Sequence, residues 1–122
     1  MKTVLGIGGT DDSIRALEHT LDRVAETGDE LTVAVIENPD STPAGDEVEE
    51  RVEGIIEEYG VDADVVRLSG DPGSALVEFA ESNGYDEIVL GGGETSAMGK
   101  IQVGRVAEFV LLNSHTSVKL VR

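Results

Sequence analysis

Residues 64–91 read DVVRLSGDPGSALVEFAESNGYDEIVLG, and this stretch decides the fold. Asp64 to Leu68 is a short β-branched run, and Asp86 to Leu90 is a second. Between them Ser69-Gly70-Asp71-Pro72-Gly73 makes a turn, after which Ala75, Leu76, Phe79 and Ala80 recur at helical spacing. Pro72 stands where a first helical turn tolerates it. Strand, helix and strand in succession form a βαβ unit, the building block of a parallel sheet.

The same grammar extends in both directions. Upstream, Thr3 to Gly8 reads as a strand, followed by a helix from about Asp12 to Thr27 with Ile14, Leu17, Leu21 and Val24 on one face. Asp11 and Asp12 complement the dipole at its start, and Gly28 suits its end. Leu31 to Glu37 is a buried strand, and Asn38 to Gly45, with Pro39 and Pro43, is a loop. A second helix carries Val48, Val52, Ile55, Ile56 and Tyr59 and is stopped by Gly60. Downstream, the fourth strand runs into Gly91-Gly92-Gly93 and a polar loop. A fourth helix carries Val103, Val106, Ala107, Val110 and Leu111, and Ser117 to Arg122 is the last strand. Five strands alternating with four helices, without linker or repeat, predict one α/β domain over residues 1–122, a Rossmann-like open parallel sheet.

Charge narrows the function. The 122 residues hold 25 acids against 9 bases, a net charge of −16. So negative a surface repels phosphate backbones and anionic lipid, which argues against nucleic-acid and membrane partners. Two Phe, two Tyr and no Trp leave almost no stacking platform for single-stranded nucleic acid. No apolar run approaches the ~20 residues of a membrane span. The N-terminal apolar stretch passes straight into Gly6-Ile7-Gly8-Gly9, unlike a signal peptide. With no Cys there is no disulfide, thiolate nucleophile or cysteine metal site, and the expected location is cytoplasmic. A Lys-poor acidic surface fits a halophilic protein whose carboxylates are screened by salt. An acidic face for a basic partner fits as well. From Gly99 to Arg122 the balance reverses, with Lys100, Arg105, Lys119 and Arg122 against Glu108 alone. That segment suits an anion site or a subunit contact relieved of repulsion.

In an open parallel sheet, ligands bind beyond the carboxyl ends of the strands where strand order reverses. Two glycine-rich turns fall at such ends. One is Gly8-Gly9-Thr10 after the first strand. The other runs from Gly91-Gly92-Gly93 through Gly99 to Gly104 after the fourth. Glycines there serve either tight turns alone or the close approach of backbone amides to phosphate oxygens, which the next helix N-terminus favours. His19 and His115 have no partners in sequence and do not make a metal site. Ser13, Thr10, Thr95 and Ser96 suit caps and turns. No catalytic triad, spaced carboxylate dyad or Gly-Lys-Ser/Thr phosphate loop is present. Nothing in the pattern demands an enzyme.

The segments Gly70-Asp71-Pro72, Ala75-Leu76, Phe79-Ala80 and Tyr85-Asp86-Glu87-Ile88-Val89-Leu90-Gly91 resemble the third helix and fourth strand of universal stress proteins. Gly104-Arg105-Val106-Ala107-Glu108-Phe109-Val110-Leu111 is similar to their fourth helix, and Ser13 with Arg15-Ala16-Leu17 to their first. The resemblance covers the chain. It implies strand order 3-2-1-4-5, helices on both faces, and a homodimer often joined through the last strand. ATP-binding members carry a glycine, two residues, a second glycine, nine residues, then glycine and a hydroxyl residue. Anchored on Gly104, the first glycine falls on Gly91, the second on Glu94 and the hydroxyl on Arg105. After the first strand, where the family usually has an Asp serving ribose and adenine, this chain has Gly8.

A carboxylate at Glu94 a few ångströms from a triphosphate would oppose binding by about 1–4 kcal/mol at surface-like dielectric. Gly93 could take the glycine's role after a register shift. Arg105 could pair with phosphate, or with Glu108 one turn on. The resemblance therefore implies a non-catalytic stress-response module with no bound cofactor, its ATP binding absent or weakened, working through dimerisation and protein contacts. The alternative is an adenine-nucleotide sensor binding ATP. It would use Gly91, Gly92, Gly93, Gly99, Gly104, Arg105 and Val106 for phosphate, with Gly8, Gly9, Thr10 and Ile36 near the base.

Overall fold

The computed structural model describes residues 1–8, 11–36, 45–91, 94–95, 101–102 and 104–121. Parallel strands β1 (Lys2–Ile7), β2 (Glu30–Ile36), β3 (Asp64–Leu68) and β4 (Glu87–Gly91) alternate with helices α1 (Asp11–Thr27), α2 (Gly45–Tyr59) and α3 (Pro72–Ser82). A two-stranded hairpin follows, β5 (Glu94–Thr95) with β6 (Ile101–Gln102), then α4 (Arg105–Asn113) and β7 (Ser117–Val121). The sheet order is β3-β2-β1-β4-β7, all parallel, so the expected 3-2-1-4-5 order holds with β7 as the fifth strand.

Strand alternation sorts the side chains into two cores. On one face Leu5, Ile7, Val33, Val35 and Val89 meet α1 through Ile14, Leu17 and Leu21 and α2 through Val48, Val52 and Ile56. On the other, Val4, Ala34, Ile36, Ile88 and Leu90 meet α3 through Leu76, Val77 and Ala80 and α4 through Ala107 and Val110. Both sheet faces are thus covered, which is why the strands read as continuous apolar runs. Gly28, at φ +73°, ends α1 with its N–H on the Val24 carbonyl at 2.8 Å.

Gly6 belongs to the second face, and the packing there explains its lack of a side chain. A Cβ on Gly6 would lie 2.8 Å from Cδ2 of both Leu76 and Leu90 and 3.3 Å from Cδ1 of Ile36. Gly73 lets α3 approach α4 in the same way, since a Cβ there would meet the Phe109 ring at 2.6 Å.

The acid is unevenly layered. The outer face of α2 presents Glu47, Glu49, Glu50, Glu53, Glu57 and Glu58, whereas α3 has Glu78 and Glu81 and α4 only Glu108. Every helix carries some acid. In the fold most of it lies on the α1–α2 side.

Candidate functional site

Strands β1 and β4 are neighbours and parallel, with Thr3, Val4 and Leu5 opposite Glu87, Ile88 and Val89. Their carboxyl ends therefore share one rim, at the point where chain order reverses. Gly8 follows the last residue of β1 on that rim, and Gly91 closes β4 beside Val121 of β7. Ile7 pairs with Val35, so Ile36 at the end of β2 stands level with Gly8. Ile36 is buried and completes the core beneath this rim. One step outward the packing stops: a Cβ on Gly8 would have nothing within 4 Å, although its N–H lies 3.3 Å from the Ser13 hydroxyl.

The amino end of α4 faces the same rim, because α4 is the crossover between the neighbouring strands β4 and β7. Gly104 is its N-cap and makes no side-chain capping bond. A Cβ on Gly104 would also meet empty space. The first intrahelical bond runs from the Glu108 N–H to the Gly104 carbonyl at 2.9 Å. The N–H groups of Arg105, Val106 and Ala107 therefore have no acceptor within the helix. Val106 packs partly against the core. Arg105 is exposed, and among the described residues it forms no ion pair with Glu108 or any other acid. A cation in the first turn is disfavoured by the helix dipole, so its placement is not explained by helix stability.

The third helix makes the contrast. Its N-cap Asp71 accepts from the Ser74 N–H at 3.1 Å, and Pro72 opens the first turn. Hydrogen bonding from Ser74 holds the Asp71 carboxyl below its usual 3.8. One helix end at this rim is closed by its own side chain, and the other is left open.

The hairpin was not anticipated, since the sequence there reads as a polar loop. Glu94 pairs with Gln102 and Thr95 with Ile101, antiparallel. Gln102 lies two residues before Gly104 in the sequence. Two-residue strands are too short for periodicity to reveal them. Of the expected site residues, Gly8, Ile36, Gly91, Gly104, Arg105 and Val106 belong to this carboxyl rim and the helix end above it. Gly9, Thr10, Gly92, Gly93 and Gly99 lie outside the described residues, as does Val103, which the sequence assigns to the fourth helix.

His19 is exposed on α1, and His115 is exposed in the α4–β7 turn, where its backbone N–H donates to Glu81 at 2.7 Å. Among the described residues no group of three His, Cys, Asp or Glu side chains could hold a metal, and no helix is long and apolar enough to cross a membrane.

Fold and rim together define an open Rossmann-like α/β protein whose chain order reverses between β1 and β4. The chain belongs to the universal stress protein family, whose model matches residues 1–122. It is 29% identical over 138 residues to a universal stress protein of Methanocaldococcus jannaschii, covering 99% of this chain and 81% of that one. The solved universal stress protein of Archaeoglobus fulgidus superposes with a TM-score of 0.82 at 21% identity, covering 100% of this chain and 98% of the other. A universal stress protein from the same organism, solved in complex with dAMP, gives a TM-score of 0.75 at 19% identity, with 100% and 98% covered.

Proposed function

We propose that this chain is a non-catalytic stress-response module in which ATP binding is absent or much weakened, and which acts as a homodimer through protein contacts. One observation carries the reading: the β1 end of the switch-point rim has Gly8, which has no side chain to reach a ribose. Among the described residues nothing lies within 4 Å of a Cβ built there, so a carboxylate would fit at that position. Glu94 supports the same reading, because the family spacing anchored on Gly104 sets this carboxylate where ATP-binding members have a glycine. A negative group beside a triphosphate would oppose it by about 1–4 kcal/mol. Calorimetric titration of the wild-type chain with ATP at high salt should yield no measurable heat. Micromolar affinity would overturn the reading.

Dimerisation is supported by the far edge of the sheet. β7 has a neighbour on one side only, and α4 beside it exposes Leu111 and Leu112, the latter by 76%. This region also has the least acid, so two copies meet there with the least repulsion. Sedimentation of Leu112→Glu should show monomer where the wild type shows dimer.

A second reading is favoured by Arg105 and by the dAMP bound in the related structure. A guanidinium without an ion pair among the described residues, beside the N-terminal N–H groups of a helix, suits a phosphate. In this reading the chain senses an adenine nucleotide smaller than ATP. Titration with AMP tests it: binding that Arg105→Glu abolishes supports the sensor, and binding that it leaves unchanged removes Arg105 from the site.

A further inference from the structure

The α1–α2 side of the sheet carries an imbalance that nucleotide chemistry does not use. Helix α2 bears six glutamates and one base of its own, Arg51, which is exposed with them. Glu49 and Glu53, and Glu53 and Glu57, are like charges four residues apart, on adjoining turns of one face. Glu57 and Glu58 occupy the last turn, which has no basic residue, so they face the negative end of the helix dipole. From the neighbouring helix Glu18 and Asp22 add to this field. The Tyr59 phenol is pushed above its usual 10 by burial first, then by Asp22, Glu18 and Glu58.

The ion pairs that reach α2 from β3 are placed at one end of the helix. Arg67 of β3 pairs with Asp46 and lies 3.7 Å from Glu49, both in the first half of the helix. Beyond those pairs α2 is seated by buried Val48, Val52 and Ile56, with Ile55 and Tyr59 partly buried. The opposite side of the sheet lacks this conflict, since α3 and α4 pack directly on one another through Gly73 and Phe109 and bear few acids.

We propose that α2 is an element operated by ionic strength. In molar salt its carboxylates are screened and it sits on β2 and β3. In dilute salt their repulsion lifts it, from the Glu57–Glu58 end, while the rest of the sheet and the α3–α4 side stay folded. Apolar seating changes little with salt. Repulsion among exposed carboxylates acts over the Debye length, which grows from about 3 Å at 1 M to about 30 Å at 0.01 M. Lowering salt strengthens the Arg67 ties as well, but these hold the first half of α2, so the net gain in repulsion falls at the Glu57–Glu58 end. The device would make a stress-family domain responsive to the ionic content of its surroundings without any ligand, and so it stands apart from the nucleotide reading.

Hydrogen exchange of the whole chain, resolved by peptide and followed from molar to millimolar potassium chloride, tests this. Amides of α2 should lose protection by roughly tenfold or more while those of β1, β4 and α3 keep theirs, the pattern of a sub-global opening. The double substitution Glu57→Lys with Glu58→Lys should move the α2 midpoint to several-fold lower salt, by the sign of the dipole and pair interactions. Glu78→Lys on α3, equal to either single change in charge, should leave that midpoint in place. Protection of α2 that is independent of salt would overturn the proposal. So would loss of protection throughout the chain in one transition, or an α2 midpoint that follows net charge wherever the charge is placed.

Discussion

The two ends of β1 could hardly differ more. At its amino end the Lys2 N–H donates to the Asp86 carboxylate at 2.8 Å, and the Asp86 N–H returns a bond to the Lys2 carbonyl at 2.7 Å. The Lys2 ammonium donates to the Asn83 carbonyl at 2.6 Å and lies 4.4 Å from the centre of the Tyr85 ring. Arg23 reaches Glu87 at 3.1 Å and Asp29 at 3.9 Å. At the carboxyl end Gly8 and Gly104 border empty space, α4 opens without a capping side chain, and Arg105 has no ion pair among the described residues. Lys2 and Arg23 are bonded at one rim, whereas Arg105 at the other has no ion pair among the described residues. A fold saturated at the amino rim can hold the carboxyl rim open, and the open rim is where the family's ligands are expected.

The sharpest way to test this boundary lies within β1. Gly6→Val should cost roughly 3 kcal/mol in denaturant unfolding, because Leu76 and Leu90 leave no room for the new atoms. Gly8→Ala, two residues on and just past the strand, should change stability by no more than about 0.5 kcal/mol. A large loss at Gly8 would show that the space beside it is filled.

At the amino rim Tyr85→Phe removes the bond from the Tyr85 hydroxyl to Thr32, 2.7 Å away and buried beneath it. The same measurement should register about 1–2 kcal/mol, since the Thr32 hydroxyl is left without its partner.

A smaller effect belongs to Asp29. Its carboxyl is held below the usual 3.8, first by the hydrogen bond from the Met1 amine at 3.1 Å, then by Thr27, with Arg23 contributing charge. A carboxyl with a depressed folded pKa stabilises above its unfolded value and loses that contribution as pH falls through the folded one. Asp29→Asn should therefore lower Tm at neutral pH, with the difference from wild type shrinking as pH drops below 3.8. A difference constant across that range would contradict the pairing. Smallest of all, Gly104→Ser should stabilise α4 by a few tenths of a kcal/mol by supplying the missing cap.

Much of the fold was legible because buried parallel strands and amphipathic helices have distinct periods. Val4, Leu5 and Ile7, or Ile88, Val89 and Leu90, are continuous apolar runs because both sheet faces are covered. The strand order came from the family resemblance, as periodicity carries no information on which strands pair. The rim residues Gly8, Gly91 and Gly104 were visible as turn glycines. Their difference from Gly6 was not, since a glycine forced by packing and one beside empty space are the same letter. The β5–β6 hairpin escaped because Glu94-Thr95 and Ile101-Gln102 are too short to show alternation. The layering of acid was hidden for another reason: it depends on which helices share a sheet face.

The proposal that the switch-point rim is poorly furnished for ATP is tested most directly by refurnishing it. ATP affinity should be measured by calorimetry at high salt for the wild type and for the Gly8→Asp, Glu94→Gly double variant. Binding too weak to detect in the wild type, rising at least about tenfold in the variant as a carboxylate is gained at one end and lost at the other, is the expected result. Micromolar binding by the wild type, left unchanged or weakened in the variant, would contradict it.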